Sequence, residues 1–265
     1  ASGNPGVMIA GQNGPGATNL VTGIAQAAAA FSPVISIAGA ISSKDVGKNA
    51  FQEIDQQALF EPITKKTWSV NKANDIPQTF NDAFSLALKP RCGPVHVNLP
   101  RDILSTKASF EDSIQYQNLQ SENLPKASKE DLSKTIEIIL SSSQPVIIAG
   151  GGIKNTQGYL EVINLAKILN IPIVSSAGHG DAIPFSENLY FGQMGPRGNP
   201  IATKLVKEAD VILALGTRLG FNSTFFSYEN INKQASIIQI EIEPTALGRY
   251  FPISIGICAD AKTFA

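Results

Sequence analysis

Net charge of either sign is nearly absent from this sequence. Its 265 residues contain 21 Lys and Arg against 22 Asp and Glu, which leaves a formal net charge of −1. Proteins bind nucleic acids and anionic membrane surfaces through concentrated positive charge. The balance gives no electrostatic support for either kind of partner, and we expect neither nucleic-acid nor membrane binding.

Cysteine and long apolar runs are also scarce. The two cysteines, Cys92 and Cys258, show neither the spacing of metal ligands nor the number that a disulfide framework needs. This usage is typical of a reducing compartment, and we expect a cytoplasmic protein. The sequence contains neither an apolar run long enough to cross a bilayer nor a signal-peptide pattern. Because residues 1–6 read as a loop that leads directly into a strand, we expect a fragment whose upstream part is missing.

Short apolar runs alternate with segments of helical composition. Hydrophobic residues make up 43% of the chain, enough for a sizeable core. Strands are predicted at 7–9, 33–38, 68–70, 93–99, 145–149, 171–175, 210–218, 236–242 and 254–258. Helices are predicted at 17–30, near 51–60, at 76–88, after Ser128, and at 159–169, 201–207 and 244–249. This alternation predicts an α/β fold with helices on both faces of parallel sheets.

The stretch from Leu104 to Lys126 interrupts the alternation. Apolar runs vanish there, and Ser, Gln, Asn and Glu dominate. Such composition favours an interdomain linker. We therefore predict two doubly wound parallel-sheet domains, at 1–105 and 129–265, joined by a linker at 106–128.

A glycine-rich turn, Gly11–Gly16, follows the first predicted strand, whose residues 7–9 we expect to be buried. A strand, a glycine turn and a helix N-terminus together aim backbone N–H groups at a ligand. Gln12 and Asn13 lie at the tip, where their side chains can face that ligand. The spacing differs from the Gly-x-Gly-x-x-Gly fingerprint of dinucleotide binding, and a purely steric role for the glycines is the alternative.

Three predicted strand ends in the second half carry glycines or polar residues: Gly150–Gly152, Gly216–Arg218 and Glu241. Doubly wound sheets bind ligands at the carboxyl ends of their strands. These clusters predict an anionic, nucleotide-like ligand.

Smaller features predict local structure. Ser128 and Asp131 have the spacing of a capping box, and Asp75 is placed to cap the helix at 76–88. His96 lies in an apolar strand and is predicted to pack in the core, without a catalytic role. His179 follows a glycine in a loop, where exposure and a ligand contact are both open.

Four segments together resemble the thiamine-diphosphate-dependent enzymes of the acetolactate synthase type: residues 14–25 (GPGATNLVTGIA), 50–53 (AFQE), 93–102 (GPVHVNLPRD) and 215–218 (LGTR). That family has a pyrimidine-binding domain, a Rossmann-like (DHS-type) central domain and a pyrophosphate-binding domain, in that order. The resemblance covers nearly the whole chain. It implies that 1–105 is the later part of the pyrimidine-binding domain and that 129–265 is the central domain.

The resemblance also implies the chemistry. We expect thiamine diphosphate and Mg²⁺ in the full-length enzyme, and decarboxylation, carboligation or acyl transfer on 2-oxo acids or related carbonyl compounds. A homodimer or tetramer is expected as well. The family's activating glutamate and its metal ligands fall outside this sequence. We therefore expect this piece alone to be inactive and to supply no metal ligand.

Site residues in the first half follow from the resemblance. Gln12, Asn13 and Gly14 would face the cofactor and substrate, Gln52 would donate to the carbonyl oxygen, and Phe51 would form an apolar wall. The alternative for 51–52 is a helix start over the core with Gln52 in solvent. Among substrates, the motifs lean towards sulfoacetaldehyde acetyltransferase and its relatives, and an oxalyl-CoA decarboxylase-like activity is a further alternative.

Site residues in the second half resemble those that hold FAD in acetolactate synthase or ADP in oxalyl-CoA decarboxylase. A guanidinium such as that of Arg218 suits a diphosphate, and Glu241 suits ribose hydroxyls. The implied set is Gly150, Gly151, Gly152, Gly216, Thr217, Arg218, Glu241 and Asp260. A purely structural central domain is one alternative, and a non-catalytic module that binds FAD or ADP, or a regulatory homologue, is another.

Overall fold

The computed structural model describes residues 4–109 and 124–265, which form two compact units, one in each range. Each unit contains a sheet whose strands all run parallel, interleaved with helices. The predicted α/β class is therefore confirmed. Most of the predicted linker lies outside the described residues, so the domain limits at 105 and 129 stay predictions.

The first unit is built on a four-stranded sheet in the order β1-β2-β4-β3. Its elements in chain order are β1 (Gly6–Ala10), α1 (Pro15–Thr18), α2 (Val21–Ala29), β2 (Val34–Ala40), α3 (Gln56–Phe60), β3 (Thr67–Ser69), α4 (Ile76–Leu88), β4 (Val95–Pro100) and α5 (Arg101–Leu104). Single 3-10 turns lie at Ser43–Asp45, Glu61–Ile63 and Ala73–Asp75. Because the strands are parallel, the loops that follow β1 and β2 leave the same edge of the sheet.

Alternate residues of the central strands supply two cores, one on each face of this sheet. Ile35, Val95 and Val97 pack on one face with α4. Ala38 packs on the other face with α2 and Phe60 of α3. The strand β4 is almost fully buried, which is why 93–99 is a nearly continuous apolar run.

Several local predictions for the first unit are wrong. The helix predicted at 17–30 is interrupted between α1 and α2, where the N–H of Leu20 bonds the carbonyl of Ala17. The strand predicted as buried is an edge strand of the described sheet, so Val7 and Ile9 are 50% and 67% exposed. Asp75 makes no cap bond, because the preceding 3-10 turn keeps its backbone helical.

The second unit is built on a six-stranded sheet in the order β10-β9-β8-β5-β6-β7. Its elements are α6 (Lys129–Leu140), β5 (Pro145–Ala149), α7 (Gly151–Thr156), α8 (Tyr159–Leu169), β6 (Ile173–Ser175), β7 (Tyr190–Gln193), α9 (Pro200–Glu208), β8 (Val211–Leu215), α10 (Phe221–Thr224), β9 (Ser236–Glu241), β10 (Ile255–Cys258) and α11 (Ala261–Phe264). From β5 the chain runs outward to β7 and then crosses back to β8. The strand order therefore reverses between β5 and β8, and this topological switch point is where such sheets bind ligands.

Residues of β5 and β8 alternate between the two faces. Ile147 and Leu213 face one core, and Ile148 and Ile212 face the other. Both strands are buried on both sides, as their apolar runs predict.

Three details of the second unit bear on the predictions. The capping box of Ser128 and Asp131 is confirmed, with both of its hydrogen bonds present. The strand β7 lies in a stretch predicted to be a loop, and α10 was not predicted. The helix predicted at 244–249 is a 3-10 turn, Pro244–Ala246.

Among the described residues, no helix combines the length and the apolar character needed to cross a membrane.

Candidate functional site

The loops that follow β1 and β2 meet at the carboxyl edge of the first sheet. The Nε2 of Gln12 donates to the Oε1 of Gln52 at 2.6 Å. The Nδ2 of Asn13 donates to the carbonyls of Phe51 and Gln52 at 3.2 and 3.1 Å. Side chains about forty positions apart in sequence thus lie side by side, as the resemblance implied, although their roles stay predictions.

Close backbone contact explains the glycine at position 14. Its φ is +55°, and a Cβ there would overlap the carbonyl oxygen of Gln52. The steric role is therefore real at Gly14, and it serves to bring the two loops together. Gln52 is itself left-handed, with φ +59°, a conformation that costs a non-glycine residue about 1 kcal/mol or more.

The segment 51–55 precedes α3 instead of starting it. The helix begins at Gln56, and the carboxylate of Asp55 caps it by accepting from the N–H of Ala58 at 3.0 Å. The alternative in which Phe51 and Gln52 start a helix with Gln52 in solvent is therefore wrong. Gln52 is half-buried, whereas the ring of Phe51 is 82% exposed.

Two carboxylates, Glu53 and Asp102, hold the loop that follows β2. Glu53 accepts from the backbone N–H groups of Gly47 and Ala50 at 2.6 and 2.9 Å, and these bonds lower the pKa of its carboxyl. Asp102 accepts from the hydroxyl and the N–H of Ser43, which lower the pKa of Asp102. The loop that follows β2 is thus held by groups that are ionised at neutral pH.

His96 is buried, as predicted, and stacks on Phe60 with ring centroids 3.8 Å apart. Burial lowers the pKa of its imidazole to about 4, so the ring is neutral at neutral pH. It bonds Ser36 and Asn98, both buried. The Asn98 amide continues to Gln56, so the polar groups under the loops form one connected set.

In the second unit, the ends of β5 and β8 approach each other closely at the switch point. The N–H of Gly152 donates to the carbonyl of Gly216 at 3.0 Å, and that of Gly150 donates to Leu215 at 2.9 Å. A Cβ on Gly216, whose φ is +60°, would lie 2.6 Å from the Cα of Gly152. Gly150, Gly152 and Gly216 are therefore required by the contact between backbones, whether or not a ligand binds there.

The polar residues predicted at this edge are mostly buried and have partners within the unit. Thr217 accepts from the N–H of Leu219 at 3.3 Å, and Glu241 accepts from the N–H of Ile242 at 3.1 Å. Asp260, 2% exposed, caps α11 through the N–H of Thr263 at 2.8 Å. These contacts give each residue a structural role and leave its nucleotide-binding role a prediction.

A small charged cluster lies beside Gly151. Lys154 and Asp181 form an ion pair at 2.8 Å. The imidazole of His179 packs against Gly151, and its pKa is lowered by burial and by the charges of Lys154 and Arg218. The Nδ1 of His179 is buried and has no hydrogen-bond partner among the described residues. His179 is half-buried, and its unsatisfied ring nitrogen lies in a cluster of two cations, Lys154 and Arg218, and one carboxylate, Asp181. The cluster has a net positive charge, which fits an anionic ligand.

The amide groups of the first unit fit a different kind of ligand. A primary amide donates and accepts without titrating, which suits a heteroaromatic ring that carries both amino groups and ring nitrogens. Gln12, Asn13 and Gln52 present three such groups beside the exposed ring of Phe51. The described residues hold no cluster of three or more His, Cys, Asp or Glu side chains that could bind a metal ion.

Comparison with known families decides the assignment. The family model for the central domain of thiamine pyrophosphate enzymes matches residues 132–265, and the model for their N-terminal thiamine pyrophosphate binding domain matches residues 1–59. The chain belongs to the thiamine pyrophosphate enzyme family. The N-terminal match ends well before the predicted domain limit at 105.

Individual relatives carry the names of two of the three activities that the resemblance suggested. A probable acetolactate synthase large subunit of Methanocaldococcus jannaschii is 37% identical over 99% of the chain. A sulfoacetaldehyde acetyltransferase of Castellaniella defragrans is 35% identical over 100% of it, and an acetolactate synthase large subunit of Haemophilus influenzae is 32% identical over 94%. The chain spans 44% of the length of each of these relatives. Membership in an enzyme family, predicted from four short segments, is confirmed.

Proposed function

We propose that the whole protein is a thiamine-diphosphate-dependent enzyme of the acetolactate synthase type, to which this chain contributes the pyrimidine-binding loops and the central domain. The substrate would be a 2-oxo acid or a related carbonyl compound, and the reaction a decarboxylation, carboligation or acyl transfer. One observation carries this proposal beyond family membership: the amides of Gln12, Asn13 and Gln52 converge although they come from two separate loops.

The hydrogen-bond pattern supports a role for each amide. Gln12 donates to the oxygen of Gln52, so Gln52 retains its NH₂ group as a donor and Gln12 retains its oxygen as an acceptor. The pair therefore offers one donor and one acceptor to a ligand. The NH₂ of Gln52 suits a carbonyl oxygen on which negative charge develops. Asn13 holds the segment of Phe51 and Gln52 in place, and the exposed ring of Phe51 would form an apolar wall against a bound ligand.

Bound thiamine diphosphate would supply the carbon nucleophile and the electron sink that the side chains of this chain lack. Mg²⁺ would accompany its diphosphate, and a homodimer or tetramer would form. The metal requirement, the oligomeric state and the cytoplasmic location are parts of the proposal.

Turnover by the full-length protein tests the proposal. We would supply thiamine diphosphate and Mg²⁺ and compare pyruvate, sulfoacetaldehyde and oxalyl-CoA as substrates. Gln52→Leu should lower kcat about a hundredfold, because the lost donor acts on developing charge. Gln57→Leu, an exposed position of α3, should leave kcat unchanged. Absence of thiamine-dependent turnover with all three substrates would refute the proposal.

A second candidate is a nucleotide site in the central domain, which would hold FAD or ADP beside Lys154, His179 and Arg218. The unsatisfied Nδ1 of His179 at the switch point favours it. Calorimetric titration of the chain with FAD and with ADP tests this site, and His179→Phe should weaken any binding about tenfold. If no heat is released at millimolar ligand, the central domain is purely structural.

A further inference from the structure

Gln56, the first residue of α3, forms hydrogen bonds with both chain segments that lead to the candidate site. Its side chain is buried, 6% exposed. Its Oε1 accepts from the N–H of Gly14 at 3.0 Å, and its Nε2 donates to the carbonyl of Gly39 at 3.2 Å. Gly14 follows Asn13 directly, and Gly39 is in β2, which leads into the second loop. One amide thus holds both chain segments.

The orientation of the Gln56 amide is determined by its partners. A backbone N–H can only donate and a backbone carbonyl can only accept, so the oxygen must face Gly14 and the nitrogen must face Gly39. The nitrogen also donates to the Oδ1 of Asn98 at 2.7 Å. The amide of Asn98 is therefore oriented as well, with its oxygen towards Gln56.

The same logic assigns the proton of His96. The Oδ1 of Asn98 lies 2.8 Å from the Nε2 of His96, and because an oxygen of this kind only accepts, Nε2 must carry the proton. The Nδ1 then accepts from the hydroxyl of Ser36 at 2.9 Å. Since the ring stacks on Phe60 and meets two neutral polar side chains, it is held neutral, in the Nε2–H form.

We propose that Gln56 is a positioning residue whose amide is oriented by the backbone groups of Gly14 and Gly39 and supported by the relay, defined as Ser36, His96 and Asn98. Through Gly14 and Gly39 it determines where Asn13 and Gln52 lie. Gly14 transmits the constraint because it packs directly under the carbonyl of Gln52. Only the consequence for cofactor binding rests on the proposed function, since the hydrogen bonds themselves do not depend on it.

Nuclear magnetic resonance of the chain with ¹⁵N-labelled histidine tests the relay without any variant. We expect the His96 signals of the neutral Nε2–H tautomer, unchanged from about pH 8 to about pH 6, because its pKa is near 4. An Nδ1–H tautomer would reverse the deduced direction of the hydrogen bonds and overturn the relay.

Amide hydrogen exchange at Gly14 tests the connection to the loop. Gln56→Leu removes the acceptor, and exchange of the Gly14 N–H should accelerate about tenfold. Gln57→Leu, at the exposed neighbouring position, is the matched control and should change nothing. Unchanged exchange in Gln56→Leu would overturn the proposal.

The affinity of the full-length protein for thiamine diphosphate tests the positioning role of Gln56 separately from the proposed function. Gln56→Leu should weaken thiamine diphosphate binding about tenfold, and Gln57→Leu should not weaken it. If the unaltered protein does not bind thiamine diphosphate, the proposed function fails and the relay is judged by the two measurements above. If binding is unchanged in Gln56→Leu although Gly14 exchanges faster, the positioning role is wrong and the proposed function stands.

Discussion

His96 lies at the centre of the first sheet, on a strand that is paired on both sides. Its folded pKa, about 4, is below the ordinary value of 6.5, so the unfolded chain binds a proton more readily than the folded chain between these values. The stability that a neutral His96 contributes is therefore fully present above about pH 6.5 and declines as the pH falls towards 4. From about pH 7.5 to about pH 5 we expect the free energy of unfolding of the first unit to fall by about 2 kcal/mol from this group.

Denaturant unfolding followed by the fluorescence of Trp68, the single tryptophan of the chain, measures this effect in the first unit. The control is His96→Gln, which keeps a polar side chain but cannot titrate. The fall in stability over this pH range should be smaller in the variant by about 2 kcal/mol. Equal pH dependence in both proteins would show that the histidine is not held neutral by burial.

Gly14 combines a left-handed backbone with direct contact to the opposite loop. Gly14→Ala should destabilise the first unit by about 2 kcal/mol or displace the segment of Gln52, because the added Cβ overlaps a backbone oxygen that cannot move away cheaply. Gly11→Ala is the control, since a Cβ there meets nothing within 4 Å. Comparable stability of the two variants, measured by Trp68 fluorescence, would contradict the loop contact described above.

At the scale of elements, α6 depends on its capping box. The hydroxyl of Ser128 accepts from the N–H of Asp131 at 3.0 Å, and the Asp131 carboxylate accepts from the N–H of Ser128 at 3.3 Å. Ser128→Ala should lower the free energy of unfolding by about 1 kcal/mol. Ser133→Ala, within the same helix, should have little effect. Far-ultraviolet circular dichroism during denaturation distinguishes the two, and equal values would exclude a stabilising cap.

The contact between the ends of β5 and β8 leads to a second prediction for elements. Gly216→Ala should cost the second unit at least about 2 kcal/mol, because its Cβ would lie 2.6 Å from the Cα of Gly152 and the backbone is left-handed. Gly220→Ala is the control, with no atom within 4 Å of the added carbon. Thermal unfolding measures both, and tolerance of Gly216→Ala would contradict the close contact between the two backbones.

For the molecule as a whole, the exposed edge strand β1 leads to a prediction about self-association. Val7 and Ile9 are exposed on a strand that is at the edge of the described sheet. Unpaired strand edges with apolar side chains pair readily with other copies. We expect the chain to associate at micromolar concentration and Ile9→Lys to reduce association, as measured by light scattering.

The control for this prediction is a helical position. Ile168 is 81% exposed on α8, and a helix has no unpaired backbone groups along its side. Ile168→Lys should therefore change association much less than Ile9→Lys does. An equal effect of both substitutions would indicate that exposed apolar area matters and that the strand edge does not.

Sequence patterns best predicted the strands that are buried on both faces of their sheet. The strands β5 and β8 are buried on both faces and appear as continuous apolar runs, so their limits are close to the prediction. The strand β7 contains Gly192 and Gln193 at the edge of its sheet, and nothing in its composition distinguishes it from a loop. The break between α1 and α2 has no Pro or Gly at residues 19 and 20 to predict it.

The residues of the candidate site also fall into two groups, those that the sequence indicates and those that it does not. Phe51 and Gln52 could be singled out because they belong to a segment that resembles a known family, and Gln12 and Asn13 because they lie at the tip of the glycine-rich turn. Gln56 and Asn98 could not, since each is an ordinary polar residue until its partners are known. Their importance lies in the hydrogen bond between them, which joins residues 42 positions apart in sequence.

The sequence by itself determined the α/β class, most strands and helices, the family and the loops that carry its motifs, because periodicity and short motifs are local properties of a chain. Only the tertiary structure decided which polar groups share a proton or an acceptor. Ser36 lies beside His96, and Ala38 beside Asn98, because β2 and β4 pair in one register. A shift of that register by one residue would place these side chains on opposite faces of the sheet, and no local pattern records it.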